Sequence, residues 1–196
     1  QLIYNKKKNS DDVNFSINPI GLDPPTLNII TQSYFDFIAN FSFKEDFIID
    51  KTLLNFQLVG FIRLLFPNSK IIHCERNPKA NCLSIYKHLF EHEGPWCYNK
   101  KELNEYYNLY LDLMTFWEKK FPGKIYNIKY EDLILNPDAE IKKLIDGLKI
   151  GWDANCIKFY ENKNAIKTLS VNQARKKIYS SSLGLYEKYK AFLKEF

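Results

Sequence analysis

The stretch Ile71-Ile-His-Cys-Glu-Arg-Asn-Pro-Lys-Ala-Asn-Cys-Leu-Ser84 decides how the rest of the chain is read. Its first four residues form a short apolar run of the kind that makes a buried strand. Glu75-Arg76 ends that run, and Asn77-Pro78 opens a helix in the favoured way, with proline in the first turn. Ser84 falls two turns into that helix. An arginine at a strand end and a hydroxyl on the next helix can grip a phosphate from two sides. An arginine that caps a carboxylate and a serine that faces water would leave the same sequence, so the pattern keeps both readings open.

Working outward, Phe47-Ile48-Ile49 reads as another buried strand ending at Asp50-Lys51, and Ile125 to Ile128 as a third. Helices are expected from about 27 to 40, capped by Thr26 after a Pro24-Pro25 breaker, and from about Asn55 to Phe66. The stripe Leu103, Tyr106, Tyr107, Tyr110, Leu113, Met114 and Trp117 predicts a long amphipathic helix, and Pro137 opens one through Leu148. Gly94 to Asn99 is a loop. Asp153 caps a short helix, and a last helix runs from Leu183 to Phe196. Strand and helix alternate as in a three-layer α/β domain with a parallel sheet. Residues 1–24 read as an irregular leading segment, and with no strong linker the 196 residues read as one domain. Ligands of such sheets sit beyond the carboxyl ends of the strands. Three polar clusters lie there: Asp50-Lys51, Glu75-Arg76 and Lys129-Tyr130-Glu131-Asp132.

Composition sets the outer limits. Apolar residues make up 45% and charged residues 26%, enough core for a globular fold without disulfides or metals. The best apolar run, Leu58 to Phe66, is too short for a membrane span and holds Arg63. No secretory signal opens the chain. A net charge of +5 suits an anionic ligand and is poor support for nucleic acid, because no reader motif accompanies it. Only three of the 28 basic residues are arginines, namely Arg63, Arg76 and Arg175. Arginine offers a planar fork and lysine a mobile point charge, so each arginine invites a question. The four cysteines lack zinc spacing and read as free thiols, which points weakly to a reducing, cytoplasmic setting.

One further motif stands outside this pattern. His88-Leu-Phe-Glu-His92 has the H-x-x-E-H spacing of inverted zinc peptidases, but it sits at a helix end and no third ligand stands out, so no metal is expected. Neither a Walker-type nor a dinucleotide glycine loop is present.

Four blocks in order then carry a resemblance. Asp50-Lys-Thr-Leu-Leu-Asn-Phe56, Leu65 through Pro78 with Ser84, Tyr130-Glu-Asp-Leu133, and Ser170 through Tyr179 are similar to the sulfotransferase family, in particular to bacterial relatives of protein-tyrosine sulfotransferases. The resemblance implies a P-loop-like α/β fold. It also implies transfer of a sulfuryl group from 3′-phosphoadenosine 5′-phosphosulfate to a hydroxyl or amine. By position, Arg76 and Ser84 would hold the 3′-phosphate, and Tyr130, Ser170, Gln173, Arg175 and Lys176 the rest of the nucleotide. Lys51 matches the lysine on the bridging oxygen, and Ser170 matches a serine with a similar role. Such chemistry needs positioned cations and donors rather than a metal. The partners implied are this nucleotide and an acceptor that the sequence does not name; a homodimer is compatible.

The chain also departs from the family. The phosphosulfate loop of the kind G-x-P-R-S-G-T is absent, and the acceptor-activating glutamate belongs near or before Gln1, so these residues are expected to lack the first strand and loop of the fold. Lys177 replaces a usual proline, Leu185 sits where a basic residue is common, and His88 stands near another basic position. The competing expectation is a module that binds nucleotide or a partner without chemistry.

Overall fold

The computed structural model describes residues 22–40, 48–90, 94–162, 175–180 and 183–189. The chain divides into two compact units, Gln1–Ser69 and Lys70–Phe196.

In the first unit, helix α1 spans Pro24–Ala39. Its cap is Asp23, whose carboxylate accepts from the Thr26 backbone N–H at 2.9 Å, rather than Thr26 itself. The Pro24-Pro25 pair therefore begins the helix instead of breaking it, because proline has no N–H to lose in a first turn. Tyr34 and Phe35 pack on Phe66, with ring centroids 5.0 and 5.7 Å away. The predicted second helix is split into a 3-10 turn, Leu53–Leu58, and helix α2, Val59–Leu65. Arg63 donates to the Ser69 carbonyl at 3.2 Å, so this arginine ties the helix to the turn after it.

The expected strand at 47–50 does not form over its described residues. Ile48 to Asp50 make no ladder, and Ile49 is 84% exposed. An apolar run becomes a strand only when a neighbour takes its backbone groups. Here Asp50 organises a turn instead. Its carboxylate accepts from the Tyr34 hydroxyl at 3.1 Å, the Thr52 hydroxyl at 3.0 Å and the Asn55 amide at 3.4 Å.

In the second unit, β1 (Ile71–Glu75) and β2 (Ile125–Lys129) pair in parallel, with Ile71 opposite Ile125 and Glu75 opposite Lys129. Parallel neighbours need a long crossover. It is supplied by α3 (Pro78–Lys87), a 3-10 turn at Pro95–Tyr98 and α4 (Lys100–Lys120). The predicted stripe on α4 is the core: Leu103 and Tyr107 pack with Cys82 of α3, and Ile85, Tyr86, Trp96 and Tyr110 close around them. Trp96 stacks on Tyr106, with centroids 4.1 Å apart.

Two helices follow β2. They are α5 (Tyr130–Leu135), which the sequence reading did not foresee, and α6 (Pro137–Leu148). Gly147 lets α6 approach the sheet, since a Cβ there would lie 2.2 Å from the Tyr126 ring. Tyr126 faces α6, whereas His73 and Asn127 reach toward α4 through Tyr110 and Glu118. The sheet thus has helices on both faces, the α/β layering expected. Asp153 caps a 3-10 turn at Ala154–Cys156. The described part of the expected last helix is a 3-10 turn, Leu185–Tyr189.

Candidate functional site

The in-register pair Glu75 and Lys129 ends the two strands, so the next residues, Arg76 and Tyr130, leave the sheet side by side. The Arg76 guanidinium carbon lies 4.8 Å from the centre of the Tyr130 ring. Its Nε is buried and finds no hydrogen-bond partner among the described residues. A buried donor without a partner is costly, and charge-assisted donors are satisfied best by an anion.

The residue after Arg76 is held through three of its polar atoms. The Asn77 N–H donates to Glu131 Oε1 at 2.9 Å, its side-chain oxygen accepts from the Ala80 N–H at 3.1 Å, and its carbonyl accepts from the Asn81 N–H at 2.9 Å. Asn77 therefore caps α3, and the positive end of that helix opens beside Arg76. Ser84 is half-buried on the same helix, six residues after Pro78 and so about 9 Å along its axis.

Behind the strand ends lies a polar network that the sequence reading did not anticipate. His73 Nδ1 meets Asn127 Oδ1 at 2.9 Å, His73 Nε2 meets the Tyr110 hydroxyl, and the Asn127 amide donates to Glu118 Oε1 at 2.7 Å. Glu75 lies 3.7 Å from His73. Potential ligand atoms of His73, Glu75 and Glu118 fall within 4.8 Å of one another. The imidazole and the Glu118 carboxylate are already joined through Asn127. The alternation of His73 and Glu75 on one strand face was the available signal, and the register that brings Asn127 beside His73 was not.

Burial and neighbouring charge raise the phenols next to this network. Tyr107 is pushed up to about 12 by burial first, then by Cys82, Glu75 and Glu131. Tyr110 is likewise pushed up to about 12, by burial first and then by the charges around it. Both stay protonated at neutral pH and act as hydroxyl donors or acceptors.

Of the residues named from sequence, the structure brings Arg76 and Tyr130 into contact and places Ser84 on the helix they adjoin. Lys51 is exposed on the turn organised by Asp50, in the first unit. Arg175 and Lys176 occupy a turn, Arg175 half-buried and Lys176 exposed. Ser170 and Gln173 lie outside the described residues. His88 is the last cap of α3 in an extended conformation, its Nδ1 against the Ser84 carbonyl at 2.7 Å. Helix α3 stops at Lys87, so His88 stands just past its end; Glu91 and His92 lie outside the described residues.

A profile described as the sulfotransferase family matches residues 24–154. The chain belongs to the sulfotransferase family. It is 32% identical over 174 residues to an uncharacterized protein of Aquifex aeolicus, covering 87% of this chain and 23% of that one. It is 27% identical over 143 residues to the omega-hydroxy-beta-dihydromenaquinone-9 sulfotransferase Stf3 of Mycobacterium bovis, covering 68% of this chain and 36% of Stf3. The chain therefore spans well under half the length of these relatives. Among solved structures, the sulfotransferase domain from the curacin biosynthetic pathway superposes with a TM-score of 0.58 at 19% identity, over 76% of this chain and 53% of that domain. The fold is thus the α/β sulfotransferase fold. No helix among the described residues is long and apolar enough to cross a membrane.

Proposed function

We propose that this member of the sulfotransferase family binds 3′-phosphoadenosine 5′-phosphosulfate and passes its sulfuryl group to a hydroxyl or amine. The acceptor's lone pair forms the new bond to sulfur, the bond from sulfur to the bridging oxygen breaks, and adenosine 3′,5′-bisphosphate leaves while the acceptor gives up its proton. The observation that carries the reading is the Arg76 guanidinium, braced by Tyr130, with a buried Nε that has no described protein partner. Beside it opens the capped N-terminus of α3. A phosphate matches that combination of fixed cation and helix end.

In this reading Arg76 and Ser84 take the 3′-phosphate. Tyr130, Ser170, Gln173, Arg175 and Lys176 hold the remainder of the nucleotide by their match to the family pattern. Lys51 and Ser170 stabilise the charge that grows on the leaving oxygen.

The test is calorimetry with adenosine 3′,5′-bisphosphate and adenosine 5′-phosphate. Arg76→Ala should weaken the bisphosphate by about 1.5–3 kcal/mol and the monophosphate far less. Equal losses for both would show that Arg76 does not read the 3′-phosphate.

A further inference from the structure

Two consecutive residues at the end of β2 hold two consecutive residues at the end of β1. Tyr130 covers the side chain of Arg76, and Glu131 holds the backbone of Asn77. We infer that Glu131 is a positioning residue for the anion site: its carboxylate fixes the strand-to-helix turn and thereby aims Arg76.

The backbone on either side sets the direction of Arg76. Strand pairing fixes the chain up to Glu75, and the capping bonds fix it from Asn77 onward. Arg76 lies between these two constraints. Its direction depends on the peptide that joins it to Asn77, and the N–H of that peptide is the one Glu131 accepts, at 2.9 Å. Without an acceptor, this half-buried N–H would have to turn toward water or another carbonyl, and the preceding Arg76 would turn with it. The acceptor comes from the first turn of α5, directly after the neighbouring strand, so it also ties the two strand ends together where the candidate site lies.

Charge adds a second reason. A carboxylate near a guanidinium is normally its salt-bridge partner, which would block an incoming phosphate. Here the Glu131 oxygen is engaged by an amide, while Arg76 Nε remains without a partner among the described residues. Glu131 Oε1 thus serves the backbone of Asn77 and leaves Arg76 Nε open to an anion. Gln would preserve the acceptor without the charge; Ala would preserve neither.

The role rests on the nucleotide reading above, so the experiment separates the two. First, hydrogen exchange of the Asn77 amide is measured without ligand in the wild type, Glu131→Ala and Glu131→Gln. Second, the same three proteins are titrated with adenosine 3′,5′-bisphosphate and adenosine 5′-phosphate. The expected result is faster Asn77 exchange in Glu131→Ala only, with about a tenfold weaker bisphosphate and a monophosphate unchanged within about threefold. Glu131→Gln should match the wild type in both measurements. A Glu131→Ala protein that binds the bisphosphate normally, or loses both nucleotides equally, overturns the positioning role and leaves the nucleotide reading standing. Should Glu131→Ala fail to fold, Glu131→Gln still decides, since a loss of bisphosphate there means that charge rather than the accepted N–H matters. A wild type that binds neither nucleotide sinks the nucleotide reading before any variant is compared, and this role with it.

Discussion

Arg76 and Tyr130 leave neighbouring parallel strands at the same level, and the guanidinium carbon of one lies 4.8 Å from the ring centre of the other. The ring shields one face of the cation and limits its rotation, so the side chain is ordered before any ligand arrives. Such pre-ordering lowers the entropy that binding must overcome.

Tyr130 variants test this directly. A cation over an aromatic face is worth about 0.5–2 kcal/mol, depending on desolvation. Tyr130→Leu should weaken adenosine 3′,5′-bisphosphate by an amount in that range, whereas Tyr130→Phe keeps the face and most of the affinity. Calorimetry that ranks Phe with Leu would show that the ring face is not what supports Arg76.

Lys51 should act on turnover more than on nucleotide affinity. Its turn is fixed by the Asp50 carboxylate, which takes hydrogen bonds from Tyr34, Thr52 and Asn55. A cation at the leaving oxygen acts as charge develops there, so it lowers the barrier rather than the ground state. Removing one such group costs about 3–4 kcal/mol. Lys51→Ala in the longest natural chain holding these residues should cut turnover by about a hundredfold or more, with nucleotide affinity little changed. Normal turnover in a stably folded variant would end the catalytic role.

Alkaline stability follows from the buried phenols and one thiol. Tyr107 and Tyr110 rise from 10.0 to about 12, and burial raises Cys82 from 9.0 to about 11. The unfolded chain therefore loses these protons first. The stability they contribute is complete below about pH 9 and is lost as pH climbs from there through about 12. Denaturant unfolding at stepped pH should show this decline, and Tyr107→Phe should make it shallower. An identical slope in that variant would mean that Tyr107 titrates alike in both states.

How much was legible in the sequence varied with the range of the signal. The run 71–74 and the Asn77-Pro78 start were read correctly because a buried strand and a proline in a first turn are written in adjacent residues. The long stripe on α4 and the start of α6 at Pro137 were legible for the same reason. Asp23 shows where local reading slipped: both Asp23 and Thr26 are good caps, and only the accepted N–H shows which one serves. The run at 47–49 shows a deeper limit. Hydrophobicity marks a segment as fit for a sheet, but strand identity needs a partner, and the described part of this segment has none.

For the site, the sequence by itself determined the chemical types: an arginine after one strand, a tyrosine and a carboxylate after another, and a helix opening between them. The tertiary structure alone decided who holds whom. The parallel register of β1 and β2 places Tyr130 over Arg76 and Glu131 on Asn77, and it brings Asn127 to His73. Register is fixed by packing against helices on both faces, because a crossover of this length leaves many pairings open. No residue near Arg76 in the chain encodes that choice, because the energy that selects it comes from contacts made only once the strands lie side by side.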